Sequence, residues 1–194
     1  KNELELKGGN SNFYLRKEAQ LLQGTTGASV NKGVGNLSVF QEGTTNNFQY
    51  NYWCSPVGAN SATAGNTAFG ITQLMDILDL TNSIAPTVLS ASNYNGIASP
   101  LAIAPYWIWK LPAGSNWVYV GSGATLNTAE GFTMKGTSGT NSITVNGVQN
   151  NPGSKQRYDF RGKPNDGTIS IPVITGELTL TGNPYPSAID LAAF

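Results

Sequence analysis

The stretch NNFQYNYWCSPVG, residues 46–58, carries the clearest β-strand pattern in the sequence. Alternation with a period of two places four side chains on one face of a strand: Phe48, Tyr50, Tyr52 and Cys54. The opposite face carries Trp53 among polar residues, and Pro56 ends the run because proline cannot continue a ladder. We predict that the aromatic-rich face is the core, and that Cys54 is a buried free thiol.

The same two-residue period recurs along most of the chain. It is visible in LELKG (4–8), FYLRKEAQLLQG (13–24), GNLSVFQEGT (35–44), YWIWKL (106–111), WVYVG (117–121), GFTMKGT (131–137) and SITVNG (142–147). Short strands separated by glycine- and asparagine-rich turns are typical of an all-β fold. We therefore predict an antiparallel β-sandwich or jelly-roll-like architecture.

Two segments carry more specific local predictions. In FGITQLMDILDL, Phe69–Leu80, apolar residues recur at helical spacing, which predicts a short helix or a helical turn. In RYDFRGKPNDGTISIPV, residues 157–173, two alternating runs flank Lys163–Gly167, whose residue types suit a tight turn. This pattern predicts a β-hairpin with an exposed tip, in which Asp166 has only a turn contact.

The domain organisation is predicted from the two ends of the chain. Residues 1–45 form N-terminal strands, or alternatively the last coils of an upstream β-solenoid, and residues 46–194 form the sandwich module. Near the end, Asn183–Pro186 is a stiff corner because its two prolines fix φ. The apolar stripe of Ala188–Phe194 has helix-compatible spacing, with Ser187 as a candidate N-cap. We expect the polypeptide to continue beyond Phe194.

Composition excludes several classes of function. Only 11% of the residues are charged, and 11 Lys and Arg balance 11 Asp and Glu, so no basic field attracts nucleic acid. Histidine is absent, which excludes Ser-His-Asp, Cys-His and His-metal sites. The sequence contains no run of about 20 apolar residues, so no membrane insertion is predicted. A Lys–Asn isopeptide crosslink stays open, since no spacing selects a pair.

Oxygen-bearing side chains raise two further alternatives. Paired carboxylates can hydrolyse glycosides, but no spacing in the sequence brings two acids together. Asp159, Asn165 and Asp166 place oxygen atoms around the predicted hairpin, as Ca²⁺ requires. However, the spacing matches no known calcium-binding loop, and turn geometry fully explains residues 164–167. We expect no catalytic residue, metal or other cofactor.

Four tryptophans are the candidate ligand-binding residues: Trp53, Trp107, Trp109 and Trp117. Tryptophan and tyrosine on an exposed sheet face, with Asn and Gln nearby, can stack on sugar rings and bond to their hydroxyls. The alternative is that these rings form the sandwich core. The sequence favours the core and leaves sugar binding open.

Five segments, taken in order, resemble large cell-surface proteins exported by the type IX secretion system of gliding Gram-negative bacteria. The segments are YLRKEAQLLQGTTGASVNKGVGNLSVFQEGTTNNFQYNYWCSPVG (14–58), IAPYWIWK (103–110), AEGFTMKGTSG (129–139), VQNNPGSKQRYDFRGKPNDGTISIPV (148–173) and LTLTGNPYPSAIDL (178–191). The resemblance implies export, location at the cell surface or outside the cell, and a longer parent chain. It implies no reaction.

Two functions follow as expectations. The first is a non-catalytic structural or adhesion module of a type IX-secreted surface protein. Its partners would be other domains of the parent chain and components of the secretion pathway or outer membrane. The second is a carbohydrate-binding module of a secreted polysaccharide-degrading protein, whose ligand would be a surface polysaccharide.

Overall fold

The computed structural model describes residues 3–23, 30–151 and 156–193. Within these ranges the chain forms strands and short 3₁₀ turns at Ile71–Gln73, Pro105–Trp107 and Leu191–Ala193, and no α-helix. The predicted all-β fold is thereby confirmed. None of the helical turns in the described ranges has the length or apolar character needed to cross a membrane.

The strands are short and are numbered in chain order. They are β1 Glu5–Leu6, β2 Asn12–Leu15, β3 Lys32–Gly33, β4 Asn36–Glu42, β5 Tyr50–Cys54, β6 Phe69–Gly70, β7 Leu74–Ile77, β8 Ser83–Ile84, β9 Thr87–Val88, β10 Gly96–Ala98, β11 Leu101–Ile103, β12 Trp109–Lys110, β13 Val118–Tyr119, β14 Thr125–Leu126, β15 Gly131–Lys135, β16 Thr137–Ser138, β17 Asn141–Val145, β18 Val148–Asn151 and β19 Arg157–Gly162.

The largest sheet has five strands in the order β2-β4-β19-β7-β8. β19 lies at its centre and pairs antiparallel with β4 on one side and β7 on the other. β2 pairs parallel with β4, so the sheet is mixed rather than purely antiparallel. β1 also pairs parallel with β3, and parallel pairing is typical of β-solenoids. The solenoid alternative and the boundary at residue 45 both stay predictions.

A hydrophobic core joins this sheet to the β5–β15 pair. Phe160 of β19 lies within 5.8 Å of Trp53 and 5.6 Å of Phe69, measured between ring centroids. Leu37 of β4 and Phe132 of β15 are fully buried in the same cluster. The arrangement is sandwich-like because inward side chains of two separate sheets share one interior.

The period of two in β5 is confirmed, but the predicted core face is wrong. Trp53 is 7% exposed, whereas Tyr52 is 67% and Phe48 is 82% exposed. The large indole fills the core beside Tyr158 and Phe160, so the tyrosine face turns outward.

Cys54 is a free thiol that is half-buried rather than fully buried. Gly182 lies directly against its Cβ. Burial raises the pKa of the Cys54 thiol to about 12.

The short helix or helical turn predicted for Phe69–Leu80 is confirmed only as a three-residue 3₁₀ turn, and no α-helix forms there. Phe69 pairs with Leu126 in a two-stranded ladder, a 3₁₀ turn follows at Ile71–Gln73, and Leu74–Ile77 joins the large sheet. A short apolar run fits either structure, and here pairing with distant strands decides it.

The predicted hairpin is wrong, because residues 168–173 form no strand and the expected tip is buried. Lys163, Asn165 and Asp166 are each 2% exposed. Lys163 Nζ donates to the backbone oxygens of Val34 and Gly35 at 3.0 and 2.6 Å. The segment therefore passes through the protein instead of turning at its surface.

Asp166 and Asn165 tie this buried segment to distant parts of the chain. The Asp166 carboxylate accepts the backbone N–H groups of Val30 and Asn31 at 3.1 and 3.2 Å. Asn165 Oδ1 accepts the backbone N–H of Asn66 at 3.0 Å, and its Nδ2 donates to the Ser55 carbonyl at 3.3 Å. The turn-forming residue types thus serve long-range hydrogen bonds.

Two predicted terminal elements are shorter than expected. The strand expected over residues 13–24 ends at Leu15, and Lys17 has a left-handed φ of 55°. The helix expected near the end is a single 3₁₀ turn at Leu191–Ala193, where Leu191 is 75% exposed. Ala192 N–H bonds to Asp190 Oδ1 rather than to the predicted cap. Phe194 lies outside the described residues.

Candidate functional site

The structure places the four candidate tryptophans in two environments. Trp53 lies in the core and packs edge-on against Tyr158, with 5.5 Å between ring centroids. Trp107 and Trp109 are half-buried, and Trp117 is 47% exposed. The protein covers the ring of Trp53, whereas the other three reach the surface.

Trp107 belongs to a set of aromatic rings in mutual contact at the surface. We call this set the aromatic cluster, and its members are Tyr50, Tyr94, Tyr106 and Trp107. Tyr106 lies 4.7 Å from both Tyr94 and Trp107, edge to face, and Tyr50 lies 5.7 Å from Trp107. Tyr50, Tyr94 and Tyr106 are 40%, 52% and 36% exposed. The cluster therefore presents aromatic surface to solvent.

Hydrogen bonds hold Trp107 in place from two sides. Its indole N–H donates to the backbone carbonyl of Tyr94 at 2.7 Å. Thr133 of β15 donates its hydroxyl to the Trp107 carbonyl at 2.8 Å and accepts the Trp109 N–H at 3.2 Å. The 3₁₀ turn that carries Trp107 begins at Pro105, whose fixed φ suits a first helical position. The ring is consequently preorganised.

A second aromatic pair extends the surface. Trp109 and Tyr119 face each other across the β12–β13 ladder, with 5.1 Å between ring centroids. The Trp109 indole N–H donates to the Tyr106 carbonyl at 2.8 Å, which connects this pair to the aromatic cluster. Tyr119 is 43% exposed.

A charged side chain, Lys135, touches the aromatic cluster. Its Nζ lies 4.7 Å from the centroid of the Trp107 ring and donates to the Tyr94 carbonyl at 3.2 Å. It also donates to Asn95 Oδ1 at 3.3 Å. β15 pairing places Lys135 opposite Tyr50. Burial lowers the pKa of Lys135, because the charged ammonium loses part of its hydration.

The arrangement suits a ligand that is both apolar and hydroxylated. Exposed aromatic faces offer contact area, and each phenol hydroxyl can donate and accept a hydrogen bond. The hydroxyls of Tyr50, Tyr94 and Tyr106 bond to no group in the part of the chain that the structure describes. Burial, and secondarily Tyr106 and Tyr52, raises the pKa of Tyr50, so its phenol stays protonated at neutral pH.

Sequence reasoning identified Trp107 but missed Tyr50 and Tyr94 as surface residues. Tyr50 lies on the aromatic-rich face of the strand, which the sequence pattern predicts to be the core. Tyr94 lies in a segment without periodicity. Its neighbours Asn93 and Asn95 are residues typical of surface loops, and that composition is the signal that points to an exposed tyrosine.

The side chains considered for calcium face hydrogen-bond donors. Asp159 is fully buried and accepts the hydroxyls of Ser38 and Ser83 at 2.6 and 2.7 Å, together with the Nε–H of Arg161. The Asp166 carboxylate accepts backbone N–H groups in the same way. In residues 3–23, 30–151 and 156–193, no group of three or more His, Cys, Asp or Glu side chains is placed to hold a metal ion. These oxygens therefore serve internal hydrogen bonds.

Comparisons of the chain with protein-family models, with curated proteins and with solved structures find no match.

Proposed function

We propose that this chain is a non-catalytic β module of a larger exported surface protein, and that the aromatic cluster attaches it to carbohydrate. The observation that carries the proposal is the cluster itself. Tyr50, Tyr94, Tyr106 and Trp107 contact one another while three of them stay 36–52% exposed. Rings buried for packing alone would be covered by neighbouring side chains.

Rigidity supports the assignment of this surface to binding. The indole N–H groups of Trp107 and Trp109 are used internally, which fixes both rings and lowers the entropy lost on binding. Tyr50, Tyr94 and Tyr106 are 36–52% exposed, and their phenol hydroxyls have no internal partner among the described residues, so they are available to bond to sugar hydroxyls. Aromatic faces with polar tips suit a sugar ring, which has apolar C–H faces and a polar rim.

The rest of the proposal comes from the sequence. Location outside the cell, export through the type IX pathway and partnership with other domains of a parent chain all derive from the family resemblance. The absence of histidine, which removes the commonest acid–base group, supports a non-catalytic role. A structural or adhesion module and a carbohydrate-binding module of a degrading protein would share this ligand, and they differ in the activity of the parent chain.

The test is affinity electrophoresis in native gels that contain neutral or acidic polysaccharides. We expect retardation of the wild type by at least one polysaccharide. Tyr94→Ala and Tyr106→Ala should each weaken binding about fivefold, since an aromatic contact contributes about 1 kcal/mol. Both tyrosines bond to tryptophan through backbone carbonyls, which the substitutions keep.

Phe13→Ala is the matched control, because Phe13 is a 39% exposed aromatic residue on the separate five-stranded sheet. It should bind as the wild type does. The proposal is refuted if no polysaccharide in the panel retards the wild type, or if the two tyrosine variants and Phe13→Ala are retarded equally.

A further inference from the structure

We infer that the aromatic cluster selects anionic polysaccharide, with Lys135 as the residue that binds a sugar carboxylate. This inference rests on the proposed function and names the class of ligand for the same site. The ligand class is a chain of sugar rings bearing carboxylates, as in a polyuronate.

The first observation is the charge environment of Lys135. Three other lysines, Lys7, Lys32 and Lys110, have a glutamate within 4 Å as an ion-pair partner. Lys135 has no carboxylate partner in the described ranges, and its Nζ instead contacts the Trp107 ring and two neutral oxygens. Its positive charge is therefore uncompensated at the edge of an exposed aromatic surface.

The second observation is that the internal bonds of Lys135 are long. The distances from its Nζ to the Tyr94 carbonyl and to Asn95 Oδ1 are 3.2 and 3.3 Å. Both acceptors are neutral, whereas a bond from an ammonium to a carboxylate usually measures about 2.7–2.9 Å. The ammonium is held in position but has no short hydrogen bond to an anionic oxygen. A carboxylate oxygen can therefore replace these weak contacts or add to them.

The third observation is the position of Lys135 relative to the aromatic rings. Lys135 stands opposite Tyr50 in the β5–β15 ladder and 4.7 Å from the Trp107 ring centroid. A sugar ring placed on the exposed tyrosines would bring an exocyclic carboxylate within reach of the ammonium. Lys135 therefore combines charge recognition with ring stacking at one site.

The test compares matched pairs of polymers that differ in charge. One pair is polygalacturonan with and without methyl esterification, and the other is carboxymethyl- and hydroxyethyl-cellulose. We expect the anionic member of at least one pair to bind about tenfold more tightly at low salt, because a bond to a charged group contributes more than a neutral one. Lys135→Gln should remove this preference and keep the weaker neutral binding.

Lys7→Gln is the control, because it removes the same positive charge from a side chain that is 80% exposed. Lys7 lies between β1 and β2 and is far in sequence from the aromatic cluster. It should keep the preference. Equal binding of the anionic and neutral members of both pairs overturns the inference and leaves the proposed function standing. Equal loss of the preference for the anionic polymer in Lys135→Gln and Lys7→Gln also overturns it, since the preference would then be a general charge effect. Absence of binding to every polymer overturns both the inference and the proposed function.

Discussion

Asp166→Ala should destabilise the protein strongly, because the Asp166 carboxylate satisfies two backbone groups of a distant segment. It is 2% exposed and accepts the Val30 and Asn31 N–H groups at 3.1 and 3.2 Å. A hydrogen bond to a charged group contributes about 1.5–3 kcal/mol, so both together are worth about 3–6 kcal/mol. Local relaxation recovers part of this, and we expect a loss of about 3 kcal/mol in the free energy of unfolding.

Urea denaturation followed by circular dichroism measures the loss, and an unchanged m-value shows that the extent of unfolding is the same. Asp190→Ala is the matched control, because Asp190 is exposed and accepts one local backbone N–H from Ala192. Its effect should stay within about 0.5 kcal/mol. A loss below about 1 kcal/mol in Asp166→Ala, the usual range of a surface turn contact, would refute the buried position of this carboxylate.

Two further predictions concern residues near the core. Burial raises the Cys54 pKa to about 12, so iodoacetamide at pH 8 should alkylate the folded protein roughly a thousandfold more slowly than the urea-unfolded chain. The rate of alkylation of the folded protein should rise with pH. Equal rates for the folded and unfolded chains would contradict the burial of Cys54. A Cβ added at Gly162 would lie 2.0 Å from the Gly58 carbonyl oxygen, so Gly162→Ala should cost about 3 kcal/mol in the same urea assay. Gly123→Ala, where no atom lies within 4 Å of the added Cβ, should change stability by no more than about 1 kcal/mol, and similar losses in both variants would argue against the close approach.

The fold class was predictable because period-two patterns reflect local backbone geometry. The burial of each face was not predictable in β5, since both faces carry aromatic residues and packing against Tyr158 and Phe160 selects Trp53. The choice between the two faces thus depends on strands far away in the sequence.

The turn residues show the same limit. Lys163, Asn165 and Asp166 have the composition of an exposed tip, and hydrogen bonds to partners more than 90 residues away help to keep them inside. The candidate site was half predictable for a related reason: Trp107 stands out by its type, whereas Tyr94 joins it from a loop whose course no periodic pattern describes.

The central place of β19 has a kinetic consequence. The sheet is complete only when β19 lies between β4 and β7, and Ser38 and Asp159, which bond across that junction, are 121 residues apart in sequence. A ribosome that adds about 10 residues per second needs about 12 seconds to bridge that separation. During this interval β2 and β4 can pair with each other, but the other edge of β4 lacks its neighbour β19. Closing so long a loop is entropically slow. The edge of β4 therefore stays unpaired until residue 162 emerges. Until then the nascent chain needs protection from edge-to-edge aggregation.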